Sequence, residues 1–320
     1  MSNRGSARII GNLFSPSGQR ARLAVFCYHQ VLNAPDEFRA GEPTSVEFAR
    51  DIEVIDNVFT VLPFGEAVMR LPSNTLPKRA ACITFDDGYE SNHSLAAPIL
   101  EKAGVPVTFF IAGGAVDEGV MWNDLVIDAI AHSGGALKVD DEFVFLELPK
   151  PGAPKSAIVS ALLTQLKYRP MNERWKISRR LYFDNVGGDM PRLMMTREMV
   201  GDLSTRGFEI GGHTIDHPIL KELSDEEARV EIRDCRDWVQ KVTGSAPLSF
   251  AYPNGKTGID FDDRHVKMVA DAGFVAAAST DWNLAKGTTN PYNVPRIGPW
   301  WRQGRGLESG LLRSYIRSYI

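Results

Sequence analysis

Short apolar runs rich in β-branched and aromatic residues alternate along this chain with stretches of helical periodicity, and that rhythm constrains the fold more than any other feature. Leu23–His29 reads as a strand, and Val46–Asn57 as a helix with Thr44 and Glu47 at capping-box spacing. Arg79–Phe85 reads as a strand, Ser91–Ala103 as a helix stopped by Gly104, and Pro106–Ile111 as a strand. The pattern returns late in the chain. Helices are expected over Thr196–Arg206, Ser224–Val242 and Asp262–Ala272, alternating with strands over Phe208–Ile210, Pro247–Tyr252 and Phe274–Ala278. Such alternation implies an α/β fold with a mostly parallel sheet, open or closed into a barrel. The middle, about 121–193, breaks the rhythm with three helical candidates: Trp122–His132, Lys155–Tyr168 and Asn172–Phe183. We read 1–320 as one domain and this stretch as a helical insertion within it, near the entrance to the site.

Composition narrows the class. With 320 residues, 43% apolar and 24% charged, the chain can bury a sizeable core as a soluble globular protein. A net charge of −4 argues against a nucleic-acid binder relying on a basic surface. Cys27, Cys82 and Cys235 cannot all pair, and two sit in strand-like runs, so all three are read as reduced. No secretory leader and no run of 18 apolar residues is visible, so the expected location is the cytoplasm. The ends qualify this reading. Arg4, Arg8, Arg20 and Arg22 surround Ile9, Ile10, Leu13 and Phe14, and the C-terminal "LLRSYIRSYI" mixes Arg313 and Arg317 with apolar residues. Such ends suit either ordinary packing on the domain or a peripheral contact with the inner face of a membrane.

The stretch "ITFDDGYESN" sets Asp86 and Asp87 side by side after a strand-like run. Like charges this close repel, so a metal, a shared proton or water must compensate them. The best candidate partner is "GGHTIDHP", where His213 and His217 stand four apart. A helix face or a tight loop would bring both imidazoles together, and Pro218 with the two glycines favours the loop. Two imidazoles and one carboxylate suit zinc, with positions left for water and substrate. Alone, a double Asp is an ordinary solvated turn and a His-x3-His an ordinary structural pair. Here both follow strands of one parallel-sheet fold, and strand ends are where such folds build sites.

"TFDDG" followed by "HTIDH" resembles the first two motifs of the polysaccharide deacetylase family, the carbohydrate esterases with a NodB-like domain. The resemblance implies an irregular (β/α)7-type barrel carrying the helical insertion. It implies that Asp87, His213 and His217 hold a divalent metal and that Asp86 is the general base. Zn²⁺ is the expected ion, although the same ligands accept Co²⁺, Ni²⁺ or Fe²⁺.

The third motif departs from the family's commonest form. "FAYPNG" has Ala251 where an arginine is expected and Asn254 where a tyrosine is, while Pro253 and Gly255 are kept. The implied oxyanion donor is a backbone N–H, which Asn254 still offers. Arg296, in "NVPRIG", is expected to replace the arginine that orients the base; its other reading is a surface residue beside a proline turn. No histidine follows His265, so the family's last motif, Leu-x-His, is absent. Instead "VFCYHQV" resembles the Tyr-His-x-Val stretch of exopolysaccharide deacetylases with a circularly permuted domain, which implies that His29 is the acid protonating the leaving amine.

Sugar contacts are assigned to Trp122, Asn123 and Asp124 at the start of the insertion, to Tyr252 and Pro253 of the third motif, and to Trp282. His93 is read as helix surface, His132 and His265 as lacking an evident partner, and Asp260, Asp262 and Asp263 as a helix start. Trp300 and Trp301 are either packing or an exposed patch. The resulting expectation is a metal-dependent hydrolase removing N-acetyl groups from amino sugars of a glycan or its precursor, as in exopolysaccharide, capsule or lipopolysaccharide assembly. Its substrate would be an N-acetylated sugar, a lipid-linked saccharide or a nucleotide sugar. The rivals are hydrolysis of an O-acetyl ester, a formamide or a non-sugar amide on the same scaffold, and a non-catalytic carbohydrate-binding relative, for which Ala251 is the best argument.

Overall fold

Seven strands pair in parallel throughout: β1 (Ala24–Tyr28), β2 (Thr60–Val61), β3 (Ala80–Phe85), β4 (Thr108–Ile111), β5 (Glu209–Gly212), β6 (Ser249–Ala251) and β7 (Ala276–Ala278). The computed structural model describes residues 15–298, apart from 135, 136, 144 and 151. The basic, apolar ends and the Trp300–Trp301 pair lie outside the described residues. Strand order is β1-β3-β4-β5-β6-β7, with β2 beside β3. The strands β1, β3 and β4 are buried at every position, as befits a parallel sheet covered on both faces.

The two ends of that order are joined by one late segment. Val294 bridges Ala278 and Ile297 bridges Phe26, both in parallel. The seam is tied by Ser279 N donating to Val294 O (2.9 Å), Cys27 N to Ile297 O (3.0 Å) and Ile297 N to Val25 O (2.7 Å). The expected irregular α/β barrel is therefore observed, with segment 294–297 as the piece that closes it.

The described residues divide into two compact units, one of 15–34, 41–117 and 195–298, the other of 35–40 and 118–194. In the first, helices follow strands as the sequence rhythm predicts. They are α1 (Ser45–Val58), α2 (Phe64–Arg70), α3 (Ala97–Ala103) and α4, which begins at Gly113, followed after the insertion by α8 (Arg197–Thr205), α9 (Asp225–Thr243) and α10 (Asp263–Asp271). Capping boxes open α1 at Thr44 and α9 at Ser224, and Gly104 and Gly244 adopt left-handed conformations at the stops. Asp262 caps α10, and His265 is held there. Its Nδ1 accepts from Asp262 N (3.1 Å) and its Nε2 donates to Leu220 O (3.1 Å). The partners that the sequence did not reveal are thus the main chain and the Asp262 carboxylate, 3.0 Å from Nδ1. The sequence reading passed over α2, α4 and β2, which are too short to show a period.

In the second unit, α5 (Trp122–His132), α6 (Lys155–Lys167) and α7 (Met171–Asn185) bury Val126, Ile130, Leu162, Leu166, Ile177 and Leu181 against one another. Arg39 ties the stretch 35–40 to it through Asp124 (2.9 Å) and Asp128 (3.6 Å).

Register sets where the chemistry falls. Tyr28 pairs with Phe85, Phe85 with Phe109, Ile111 with Gly212, Gly212 with Phe250, and Ala251 with Ala278. Residues just beyond these, namely His29, Asp86, Asp87, His213 and the 252–255 turn, consequently emerge at the same C-terminal end of the sheet.

Candidate active site

The aspartate doublet is stitched between strands. Asp86 N donates to Tyr28 O (2.9 Å) and Ala112 N donates to Asp87 O (3.2 Å). Asp87 has a φ of 73°, in the left-handed region that Asp tolerates better than most residues. The two carboxylates have different partners, which resolves their repulsion.

Asp86 is gripped by Arg296. Nη1 meets Oδ1 and Nη2 meets Oδ2, each at 2.7 Å, and both residues are almost fully buried. The guanidinium is itself oriented by Ser279 O (3.0 Å to Nε) and Thr84 Oγ1 (3.3 Å to Nη1). Burial alone would push the Asp86 carboxyl up. Arg296 above all, helped by His213 and His29, more than offsets this and holds it below the usual carboxylate range.

Asp87 faces the histidines. Its Oδ1 lies 3.4 Å from Nε2 of both His213 and His217, yet it is buried without a hydrogen bond of proper geometry. His213 Nδ1 donates to Ala251 O (2.7 Å), which orients the ring with Nε2 toward the site. One ligand atom from each of the three residues falls within 4.8 Å of the others, and the two rings are 4.9 Å apart. Burial would raise the Asp87 carboxyl as well, but the imidazoles, His213 foremost, drive it well below its ordinary value. An orphaned carboxylate oxygen between two imidazole nitrogens is a donor set that fits a divalent metal.

The histidines sit on a loop, as Pro218 and the glycines suggest. Thr214 (φ 64°) and His217 (φ 52°) are both left-handed, and Thr214 Oγ1 accepts from His217 N (3.1 Å). Gly212 precedes the loop because a Cβ there would lie 2.8 Å from Cys235 Sγ of α9. Asn254 is left-handed too (φ 59°). Four of the six described non-glycine residues with positive φ thus belong to this site, at about 1–3 kcal/mol of strain each.

Around Asn254 the third motif forms a tight turn. Gly255 N donates to Pro253 O (2.6 Å), while Thr280 Oγ1 and N donate to Asn254 O and Gly255 O (2.7 Å each). The Asn254 N–H is bonded to none of the described residues. Tyr252 does not present its ring to the site. The ring is fully buried, stacked on Phe261 at 3.7 Å, and its hydroxyl donates to Tyr292 O (2.9 Å), because the two-residue alternation of β6 turns it into the core. Pro253 is likewise buried, and Trp282 is 37% exposed.

His29 follows β1 with its side chain 37% exposed. One of its ring nitrogens, Cys27 Sγ and an Asp86 oxygen all lie within 4.8 Å of one another. Arg296 already neutralises Asp86, so this group is not a second cation site. Burial lowers the basicity of His29, but Glu42, 3.6 Å from Nδ1, outweighs it together with Asp87 and Asp86, and its pKa is raised.

Trp122, Asn123 and Asp124 belong to the other unit. Asp124 is fully buried with Arg39 on its carboxylate (2.9 Å), Trp122 lies beneath the Arg174 guanidinium (5.0 Å), and Asn123 Oδ1 is buried. The side chains of Trp122 and Asp124 thus hold the insertion together.

Sequence reasoning missed Cys27, Glu42 and Glu231. Cys27 had a signal, since alternation along a strand puts it on the same face as His29. So did Glu231, an acidic residue inside the apolar stripe of Ala228, Ile232, Cys235 and Val239 on α9. Glu42 lies in a loop with no periodicity to betray it.

Comparison with known proteins follows the same lines. The Bacillus subtilis (strain 168) protein YxkH is 20% identical over 300 residues, covering 93% of this chain and 77% of its own length. Among solved structures, the deacetylase PplD of Streptococcus pyogenes, in complex with acetate, superposes with a TM-score of 0.61 at 16% identity, over 92% of this chain and 98% of that one. IcaB from Ammonifex degensii gives 0.57 at 19% identity, over 94% and 98%. At such identities these structures speak for the fold. The profile of the polysaccharide deacetylase family matches residues 73–277, more than half of the chain and inclusive of both the doublet and the histidine pair. The chain therefore belongs to the polysaccharide deacetylase family.

Proposed function

We propose that this chain is a metal-dependent hydrolase that removes N-acetyl groups from amino sugars of a glycan or glycan precursor. The observation that carries the reading is the orphaned Asp87 Oδ1, 3.4 Å from two imidazole nitrogens and next in sequence to a carboxylate locked by Arg296. A divalent ion held by Asp87, His213 and His217, with Zn²⁺ first among candidates, would polarise the acetyl carbonyl and acidify a water molecule.

The protein's own groups supply the rest. Asp86, kept ionised by Arg296, accepts the proton of the attacking water. The Asn254 N–H is available to the oxygen that gains charge as the carbonyl carbon becomes tetrahedral. His29, whose hold on its proton is strengthened by its carboxylate neighbours, donates to the departing amine nitrogen. Trp282 offers an aromatic face to a pyranose ring. Arg296 supplies the guanidinium missing at Ala251, which supports the catalytic reading over a non-catalytic relative.

The proposed substrate is an N-acetylated sugar, free or lipid-linked. A cytoplasmic setting belongs to the same proposal and is supported by three free, buried cysteines. Among the described residues no helix is long and apolar enough to cross a membrane. The test is acetate release from a panel of N-acetylated saccharides, O-acetyl esters, formamides and simple acetamides, with and without a chelator. Chelator-sensitive release from the saccharides alone is the expected result. Release from esters alone would move the assignment to the O-acetyl reading.

A further inference from the structure

The loop carrying His213 and His217 is clamped on two sides, and one jaw of the clamp is a single side chain. On one side the first amides of α4 hold its carbonyls: Gly113 N donates to Thr214 O (3.2 Å) and Gly114 N to Ile215 O (2.8 Å). Residue 114 must be glycine, since a Cβ there would run into Asp216 Oδ1 and lie 2.9 Å from Ile215 O. On the other side Glu231 of α9 takes the loop's amides. Its Oε2 accepts from Ile215 N (2.8 Å) and Asp216 N (3.1 Å). With Thr214 Oγ1 on His217 N, three successive amides between the two imidazoles are bound by side chains.

The geometry of α9 explains why position 231 does this. Cys235 packs into the space left by Gly212, the last residue of β5, which fixes how closely α9 approaches that strand. Glu231 stands four residues earlier, one turn toward the helix N-terminus and on the same face. It therefore meets the chain immediately after β5.

We propose that Glu231 is a positioning residue for the metal ligands: by fixing the 213–217 loop, it sets how tightly His213 and His217 hold a divalent ion. Without it, two amides of a loop strained at Thr214 and His217 lose their acceptor, and the imidazoles are no longer pre-arranged around Asp87 Oδ1. The role requires an acceptor, not a charge. Both amides use one oxygen, so a glutamine carbonyl can replace it. The inference rests on the metal-site reading above and goes beyond it in naming a residue that touches neither ligand side chain.

The test is zinc affinity, measured by competition with a chromophoric chelator, for wild type, Glu231→Ala, Glu231→Gln and the exposed control Arg233→Ala, each checked for folding by circular dichroism. Glu231→Ala is expected to bind zinc about 10- to 100-fold more weakly. Glu231→Gln should fall within about threefold of wild type, and the control should be unchanged. If the alanine variant does not fold, Glu231→Asp, which retracts the acceptor by one methylene, carries the same test. Wild-type affinity in a folded Ala or Asp variant, or a Gln variant as weak as Ala, would overturn the inference. A wild-type protein that binds no zinc, cobalt or nickel would instead refute the metal-site reading itself, so the two failures are distinguishable.

Discussion

Arg296 and Asp86 stand 210 positions apart in the chain and meet through two parallel hydrogen bonds of 2.7 Å, both groups almost wholly out of water. A planar fork on a carboxylate fixes orientation as well as charge. Removing either partner strands a buried charge. Arg296→Ala is therefore expected to lower the unfolding free energy by about 3–5 kcal/mol. Arg296→Lys keeps the charge but loses the fork, so it should fall between wild type and alanine in urea denaturation and lose activity out of proportion to stability. Equal stability in all three proteins would show that the pair contributes nothing to the fold.

Metal binding to the folded state alone should raise stability by mass action. At a free zinc concentration 100 times its Kd, the gain is about 2.7 kcal/mol. Wild type should show this in melts with and without a chelator, whereas Asp87→Ala and His213→Ala should melt alike under both conditions. A shift retained in both variants would locate the ion elsewhere.

On the proposed mechanism, the pH profile of activity follows from the directions of two shifts. Asp86 must be ionised, so activity rises with pH through a value held below the ordinary carboxylate range. His29 must be protonated, so activity falls as pH climbs through a value raised above the ordinary 6.5. Glu42→Gln removes the nearest carboxylate to His29 and is expected to move only the alkaline limb, toward lower pH. His29→Asn should cut turnover by about 10²- to 10⁴-fold while leaving zinc affinity intact. An alkaline limb unmoved by Glu42→Gln would separate His29 from that limb.

Glu231 links stability to pH. Burial pushes its carboxyl up to about 7 from an ordinary 4.5, against the pull of the Asp216 and Ile215 amides. The folded state then binds the proton more tightly than the unfolded state, so this group's contribution is fully present below about 4.5 and is lost as pH rises toward about 7. The difference in urea midpoint between Glu231→Gln and wild type should accordingly grow over that interval. Parallel curves would show that Glu231 titrates like an exposed carboxylate.

Much of this architecture was legible because its signals are local. The strand–helix rhythm, the boxes at Thr44 and Ser224, and the glycine stops at 104 and 244 each depend on residues within a few positions of one another. The doublet and the histidine pair were legible for the same reason. What stayed hidden depends on distance or depth. Tyr252 alternates into the core, and only packing against Phe261 reveals that. Glu42 reaches His29 from a loop, and Glu231 acts across the gap between a helix and a turn. The sequence signalled α2 weakly because seven residues hold barely two turns.

Segment 294–297 joins β7 to β1, and the same four residues deliver Arg296 to Asp86. Joining the sheet and completing the charge balance at its centre are consequently a single event. During synthesis the chain emerges from its N-terminus, so all seven described strands are available before this segment exists. Until it docks, Asp86 and Asp87 lie side by side without the guanidinium that keeps the first of them ionised. A nascent or clipped chain lacking it would hold the histidine pair and the doublet, but the proposed base Asp86 would be without its guanidinium partner.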